Sequence, residues 1–187
     1  MYIIVALKEG YVRATLHSDR MVNLASTDAL TGAYNRLKCN ELIRSLVESS
    51  RSSRQPFAVI LLDVDNFKSI NDIHGHAVGD EVLRWVVDVL DQNVRDRDIV
   101  GRWGGDEFIV LCPGLEEQQI NPLIARLEGS MRTTKPTPSI SAGASFGFAE
   151  FHEKDTVESL FERADKSMYE SKRRKKAVTQ LAGVGSG

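Results

Sequence analysis

The amino-acid sequence predicts an α+β fold, a β-sheet with helices packed against it. Three observations lead there. The stretch Arg102-Trp103-Gly104-Gly105-Asp106-Glu107-Phe108-Ile109-Val110-Leu111 sets a glycine pair between two strand-like segments. That is the pattern of a tight β-hairpin, because glycine tolerates the positive φ such turns ask for. Phe57-Ala58-Val59-Ile60-Leu61-Leu62 is an unbroken apolar run between Pro56 and Asp63, as expected of a short strand buried on both faces. Segments with apolar residues near a 3.6-residue period stand between these strands and supply the helices.

In chain order, residues 1–26 read as a lead-in, with His17 to Ala25 as the end of a helix arriving from an upstream region. Thr27 to Arg36 is rich in turn and capping residues. A helix is predicted from Arg36 to about Ser50, with Leu37, Leu42, Ile43, Leu46 and Val47 near helical spacing, and a polar connector follows to Pro56. The buried strand ends in Asp63-Val64-Asp65, so carboxylates emerge where a core strand stops. Asn66 to Gly79 is a polar connection with a short helical turn, and Asp80 is expected at the start of an amphipathic helix carrying Val82, Leu83, Val86, Val87, Leu90 and Val94. The hairpin strands are Ile99 to Trp103 and Phe108 to Leu111, and Gln118 to Met131 is a further helix. Pro138 to Phe151 reads as a strand, and Asp155 to about Lys175 as the last helix, with Val157, Leu160, Phe161, Ala164 and Met168 on one face. Residues 178–187 are expected to be a flexible tail, small-residue-rich from Leu181 onward.

Composition narrows the function classes. With 187 residues, 42% of them hydrophobic, one domain with a sizeable core is expected, spanning residues 27–177. A formal net charge of −2 offers no global basic field for nucleic acid. The dense basic block Lys172-Arg173-Arg174-Lys175-Lys176 is local, and Arg173, Arg174 and Lys175 read as a solvated helix end. Cys39 and Cys112 lie far apart and read as reduced core residues of a cytoplasmic protein, not as a disulfide framework. The apolar run from Ile3 to Leu7 is too short to span a bilayer, no secretory signal stands out, and the four histidines lack metal-type spacing.

The chemistry concentrates on the hairpin. Asp106 and Glu107 are expected at its tip, where bare glycines let a phosphate approach the backbone. Two adjacent acids at such a point suit a divalent metal; the bland alternative is a solvated acidic turn. Asp80 has a bland reading too, as an acid favoured by a helix N-terminus.

These blocks together resemble the GGDEF family of diguanylate cyclases, from about Thr27 to Lys176. The resemblance rests on Asp28-Ala29-Leu30-Thr31-Gly32 with Asn35-Arg36, on Asp63-Val64-Asp65-Asn66-Phe67-Lys68-Ser69-Ile70-Asn71-Asp72, and on Gly75-His76 with Gly79-Asp80. The hairpin itself and Ala164-Asp165, Met168-Tyr169 and Lys172 complete it. It implies a mainly antiparallel central sheet surrounded by helices, resembling the nucleotidyl cyclase and polymerase palm. It also implies condensation of two GTP into cyclic di-GMP with release of pyrophosphate, by a homodimer in which each domain is a half-site.

Such chemistry fits two Mg²⁺ ions (or Mn²⁺) about 3.5–4 Å apart, bound by hard oxygen ligands. By resemblance the ligands are Asp63, the Val64 carbonyl and Asp106, with Glu107 either a further ligand or the group that helps remove the 3′ proton. Asp65 is read as a partner charge or cap. Asn71 and Asp80 are implied to select guanine, whose N–H donors a carboxylate can accept. Phe67, Lys68, Lys172 and Lys176 are implied to hold the triphosphate, with Lys68 assisting catalysis. Where the family usually has Gly-Arg-Asn, this chain has Lys175-Lys176-Ala177, which keeps the charge and loses the bidentate fork. Arg95 and Asp98, with RxxD spacing and five residues between Asp98 and Gly104, resemble the family's inhibitory product site, where arginine can bridge guanine O6 and N7. Against these stand a charged surface loop for Arg95 to Asp98 and, for the whole chain, an idle module that binds GTP or cyclic di-GMP and signals through a partner. A related cyclase with altered base choice is a third reading, disfavoured by Asp80. The 26 leading residues are too few for a sensory domain, so the expectation is either a stand-alone cyclase or the C-terminal part of a longer protein with a sensory region upstream.

Overall fold

Nine elements follow the predicted order, in a computed structural model that describes residues 26–184, with side chains through residue 177. They are α1 (Arg36–Ser53), β1 (Phe57–Val64), α2 (Phe67–His74), α3 (His76–Asn93), β2 (Ile99–Gly104), β3 (Glu107–Pro113), α4 (Glu117–Thr133), β4 (Ala144–Glu150) and α5 (Val157–Val184). The lead-in helix expected over His17 to Ala25 lies outside the described residues. Among the described residues no helix is long and apolar enough to cross a membrane.

The four strands form one sheet in the order β2-β3-β1-β4, every pairing antiparallel. β1 is central and buried on both faces, which is why its sequence is continuous rather than alternating. Ala58, Ile60, Leu62 and Val64 join Phe108, Val110 and Cys112 beneath α3 and α4. Phe57, Val59 and Leu61 join Ile109, Leu111 and Ala149 beneath α1 and α5. The α5 backbone rests directly on β4: a Cβ at Gly147 would lie 2.2 Å from the Ala164 carbonyl oxygen and 2.3 Å from the Met168 nitrogen.

Several boundaries differ from the sequence reading, each for a local reason. The polar connection after Asp65 contains a full eight-residue helix, α2. Gly75, at φ 84°, breaks it from α3, which starts at once at His76. Asp80 therefore sits inside α3 and not at its start, so the first-turn dipole does not explain it. β4 is shorter than the expected Pro138 to Phe151, because residues before Ala144 turn back through a Thr137–Ile140 bridge. The last helix runs beyond Lys175 to Val184, through residues expected to be flexible.

Candidate active site

The hairpin between β2 and β3 turns on Gly105 and Asp106, closed by the pair Gly104 and Glu107. Glu107 is thus the first residue of β3 and not the turn itself. Neither glycine has a positive φ, so backbone freedom is not their use here. Clearance matters at Gly104, where a Cβ would lie 3.3 Å from Glu107 Oε2, whereas one at Gly105 would meet open space. Trp103 is an extra residue in β2, a bulge in the register beside the turn. Its ring stacks on Phe161 with centroids 4.8 Å apart and carries the Arg36 guanidinium 4.9 Å above it.

Antiparallel pairing brings the acids together. Asp63 stands directly opposite Glu107 across β1 and β3, and the Val64 N–H donates to the Asp106 carbonyl at 3.1 Å. By strand alternation Asp63 and Glu107 face the α5 side. There Lys172 Nζ lies 2.8 Å from Asp63 Oδ1. Among the described residues there is no ready-made group of three or more His, Cys, Asp or Glu. The donor chemistry nevertheless suits Mg²⁺, which takes one or two carboxylates and completes its shell with water and substrate phosphates.

The packing of α2 on α3 sets Asn71 against Gly79, the residue before Asp80. A Cβ at Gly79 would lie 1.9 Å from Asn71 Oδ1, so the bare glycine admits the amide next to Asp80. Phe67 is half-buried against the core and anchors α2, leaving Lys68 exposed and without a partner among the described residues. The helical pair Lys172 and Lys176 is split: Lys172 reaches the carboxylates, whereas Lys176 is exposed and makes no ion pair or hydrogen bond among the described residues.

Lys175 corrects the reading of a solvated helix end. It lies 3.3 Å from Asp65 Oδ2 and also donates to the Ala144 carbonyl. Asp65 accepts from Ser145 Oγ at 2.6 Å as well, in keeping with its reading as a partner charge. The signal for Lys175 was present: it is three residues from Lys172 on one helix face, as Asp65 is two from Asp63, just past the end of β1.

Arg102 and Asp28, to which the sequence assigns no role, tie the hairpin to the start of the domain. Arg102 Nη1 lies 3.0 Å from Asp28 Oδ1, while Nε and Nη2 donate to the Gly105 carbonyl at 3.1 and 2.7 Å. Burial alone would raise the Asp28 pKa; hydrogen bonds from Thr31 and Arg102 outweigh it and hold the carboxyl below its ordinary value. No local pattern announces this contact, because it joins residues 74 positions apart.

Arg95 and Asp98 meet, but each other first. Asp98 accepts from Arg95 Nη2 at 2.8 Å and from the Arg95 backbone N–H at 2.9 Å, and its side chain is only 1% exposed against 33% for Arg95. Both cysteines are free and buried, and burial pushes the Cys39 thiol up to about 11.

The structure thus sets carboxylates at the end of an inner strand of an antiparallel sheet and on the adjoining hairpin. Residues 25–177 match the family model described as "Diguanylate cyclase, GGDEF domain". The chain is 37% identical to the response regulator PleD of Caulobacter vibrioides over 173 residues, covering 87% of this chain and 37% of that protein. It is 36% identical to the uncharacterized protein YtrP of Bacillus subtilis over 156 residues, covering 83% of this chain and 26% of that protein. The chain thus spans roughly a quarter to two fifths of these relatives' length. Among solved structures, the coiled coil and GGDEF domain of DgcB from Caulobacter crescentus superposes with a TM-score of 0.84 at 25% identity, covering 91% of this chain and 92% of that one. The diguanylate cyclase SiaD of Pseudomonas aeruginosa gives 0.78 at 32% identity, covering 91% and 67%. The chain belongs to the GGDEF diguanylate cyclase family.

Proposed function

We propose that this domain condenses two GTP into cyclic di-GMP, each 3′ oxygen forming a bond to the other nucleotide's α-phosphorus while pyrophosphate leaves. The observation that carries the reading is the register of β1 on β3, which sets Asp63 opposite Glu107 with the Asp106 turn bonded to Val64. Divalent cations, when bound, neutralise phosphate charge and lower the 3′ hydroxyl pKa. Asp63, Asp106 and the Val64 carbonyl would hold them. Glu107 would hold the same cations or accept the 3′ proton. Asp80 and Asn71 take the guanine edge, while Lys68, Lys172 and the more distant Lys176 meet the triphosphate.

One domain holds one GTP, so the reaction needs two copies facing each other, as a homodimer. The DgcB structure contains c-di-GMP, and by analogy we assign Arg95 as the residue here that meets product. Its guanidinium is partly exposed, and Asp98 stands behind it as a buried anchor. The decisive experiment incubates the purified chain with GTP and Mg²⁺ and identifies the nucleotide by mass. Cyclic di-GMP from the wild type and none from folded Asp106→Ala is the expected result. Substantial synthesis by that variant refutes the ligand assignment, and absence of product from the wild type refutes the reaction.

A further inference from the structure

Helix α5 approaches the end of β1 with two lysines on one face, Lys172 and Lys175, opposite Asp63 near the end of the strand and Asp65 in the turn just beyond it. The two pairs are built differently. The acceptors around the Lys175 ammonium include Asp65 Oδ2 at 3.3 Å, Glu128 Oε1 at 3.8 Å and the Ala144 carbonyl. Asp65 is itself held by Ser145 Oγ at 2.6 Å, and its backbone N–H donates to the Gly143 carbonyl at 2.8 Å. Lys172 has one partner among the described residues, Asp63 Oδ1 at 2.8 Å, and 35% of its side chain remains exposed. Lys175 is a fixed tie. Lys172 can let go.

The backbones on both sides of the Lys172–Asp63 pair are held in place. α5 lies in direct backbone contact with β4 at Gly147, and β4 is paired along β1 through Asp63. Only the ammonium, on its flexible four-carbon stem, is free to swing. There is also a reason for it to sit where it does. Asp63 faces Glu107 across the two strands, and like charges directly opposite one another repel. Lys172 supplies the neutralising charge when nothing else does.

We propose that Lys172 is a displaceable counter-ion that makes capture of a divalent cation by Asp63 conditional on nucleotide. This rests on the reading of Asp63 as a cation ligand. Without nucleotide the ammonium holds Oδ1, and an incoming cation must compete with it. A triphosphate offers the ammonium more charge and more acceptor oxygens, so it moves off Asp63 and frees the carboxylate. Cation and substrate then load together, and the empty site resists metal alone. Lys172 thus acts as a gate on the ligand set before it acts as a phosphate contact.

The test is Mn²⁺ titration of the whole chain, followed by the electron paramagnetic resonance signal of the free ion. It is run without nucleotide and with a GTP analogue carrying a methylene between the α and β phosphorus atoms. Lys172→Met, and Lys172→Gln as a second variant should the first misfold, are expected to bind Mn²⁺ about three- to tenfold tighter than wild type in the absence of nucleotide, the range of a partly exposed ion pair plus relieved repulsion. With the analogue, wild type should tighten and close that gap. Lys175→Met is the charge control and should leave nucleotide-free affinity nearly unchanged. Equal nucleotide-free affinity in wild type and the Lys172 variants overturns the counter-ion, as does equal tightening by Lys175→Met. Failure of the underlying reading shows differently: Asp63→Asn would then bind Mn²⁺ as wild type does, and the counter-ion falls with it.

Discussion

Removing the Arg102 side chain should cripple turnover far more than it harms the fold. The guanidinium spans from Asp28 Oδ1, at 3.0 Å, to the Gly105 carbonyl, reached by Nε at 3.1 Å and Nη2 at 2.7 Å. Hydrogen bonds to charged groups contribute about 1.5–3 kcal/mol each when well buried. Here the ion pair is only partly buried, with side-chain exposures of 17% and 24%, and the two bonds to Gly105 share one acceptor. Arg102→Ala should therefore cost about 1–3 kcal/mol, a fall in Tm of roughly 2–4 °C per kcal/mol for a domain of this size. The catalytic effect is larger because Gly105 is half of the turn that carries Asp106. Displacing a ligand by about 1 Å can cost about a hundredfold in rate. Steady-state kinetics at saturating GTP, with thermal denaturation in parallel, separate the two effects. Arg102→Lys, which keeps the charge and loses the fork, should fall between alanine and wild type in kcat. A double-mutant cycle with Asp28→Asn should be non-additive, since both residues belong to one clamp. Wild-type kcat in Arg102→Ala, or a loss of rate that simply tracks loss of folded protein, would refute the clamp.

Asp80→Ser should weaken preference for GTP over ATP by about 1–3 kcal/mol, roughly five- to more than a hundredfold, because guanine N–H groups lose their acceptor; competition assays read this, and unchanged preference returns Asp80 to an ordinary residue of α3. Arg95→Ala should raise the product concentration needed for half-inhibition while initial rates stay near wild type. Because Asp98 would then be a buried carboxylate with its guanidinium partner gone, Asp98→Asn in the same background should restore Tm without restoring inhibition. Acid should destabilise the fold through Asp28 and Asp155. Burial pushes each pKa up, but hydrogen bonds from Thr31 and Arg102 to Asp28, and from the His152 N–H and Arg163 to Asp155, outweigh it and hold both below the ordinary aspartate value. A depressed folded-state pKa stabilises fully above the unfolded value, and that stability fades as pH falls through the folded one. Tm measured downward from pH 5 should therefore drop less steeply in Asp28→Asn and Asp155→Asn than in wild type, and parallel curves would contradict the assignment.

Much of this protein was legible in its residues because the relevant forces act between near neighbours along the chain. The continuous run Phe57 to Leu62, short and bounded by Pro56 and Asp63, reads as a strand buried on both faces, and the apolar spacing of Val82, Leu83, Val86 and Leu90 as one face of a helix. Asp63 at a strand end and Asp106 at a turn followed from the same local patterns. Element boundaries were less legible: Asp80 looked like a helix start because the true start, His76 after Gly75, carries no strong capping residue. The glycine pair announced a turn, but its use as clearance for Glu107, without a positive φ, depends on where a side chain across the hairpin lies.

Tertiary structure decided which charges meet. Lys172, Lys175 and Lys176 are nearly equivalent in sequence, yet the docking of α5 on Gly147 sends the first to Asp63, the second to Asp65 and the third to solvent. Arg102 and Asp28 meet over 74 residues, and the buried Asp98 side chain pairs with Arg95. The physical reason is range: periodicity and turn chemistry are set within a few residues, whereas an ion pair is set by the rotation of one element against another, which only the packed core fixes.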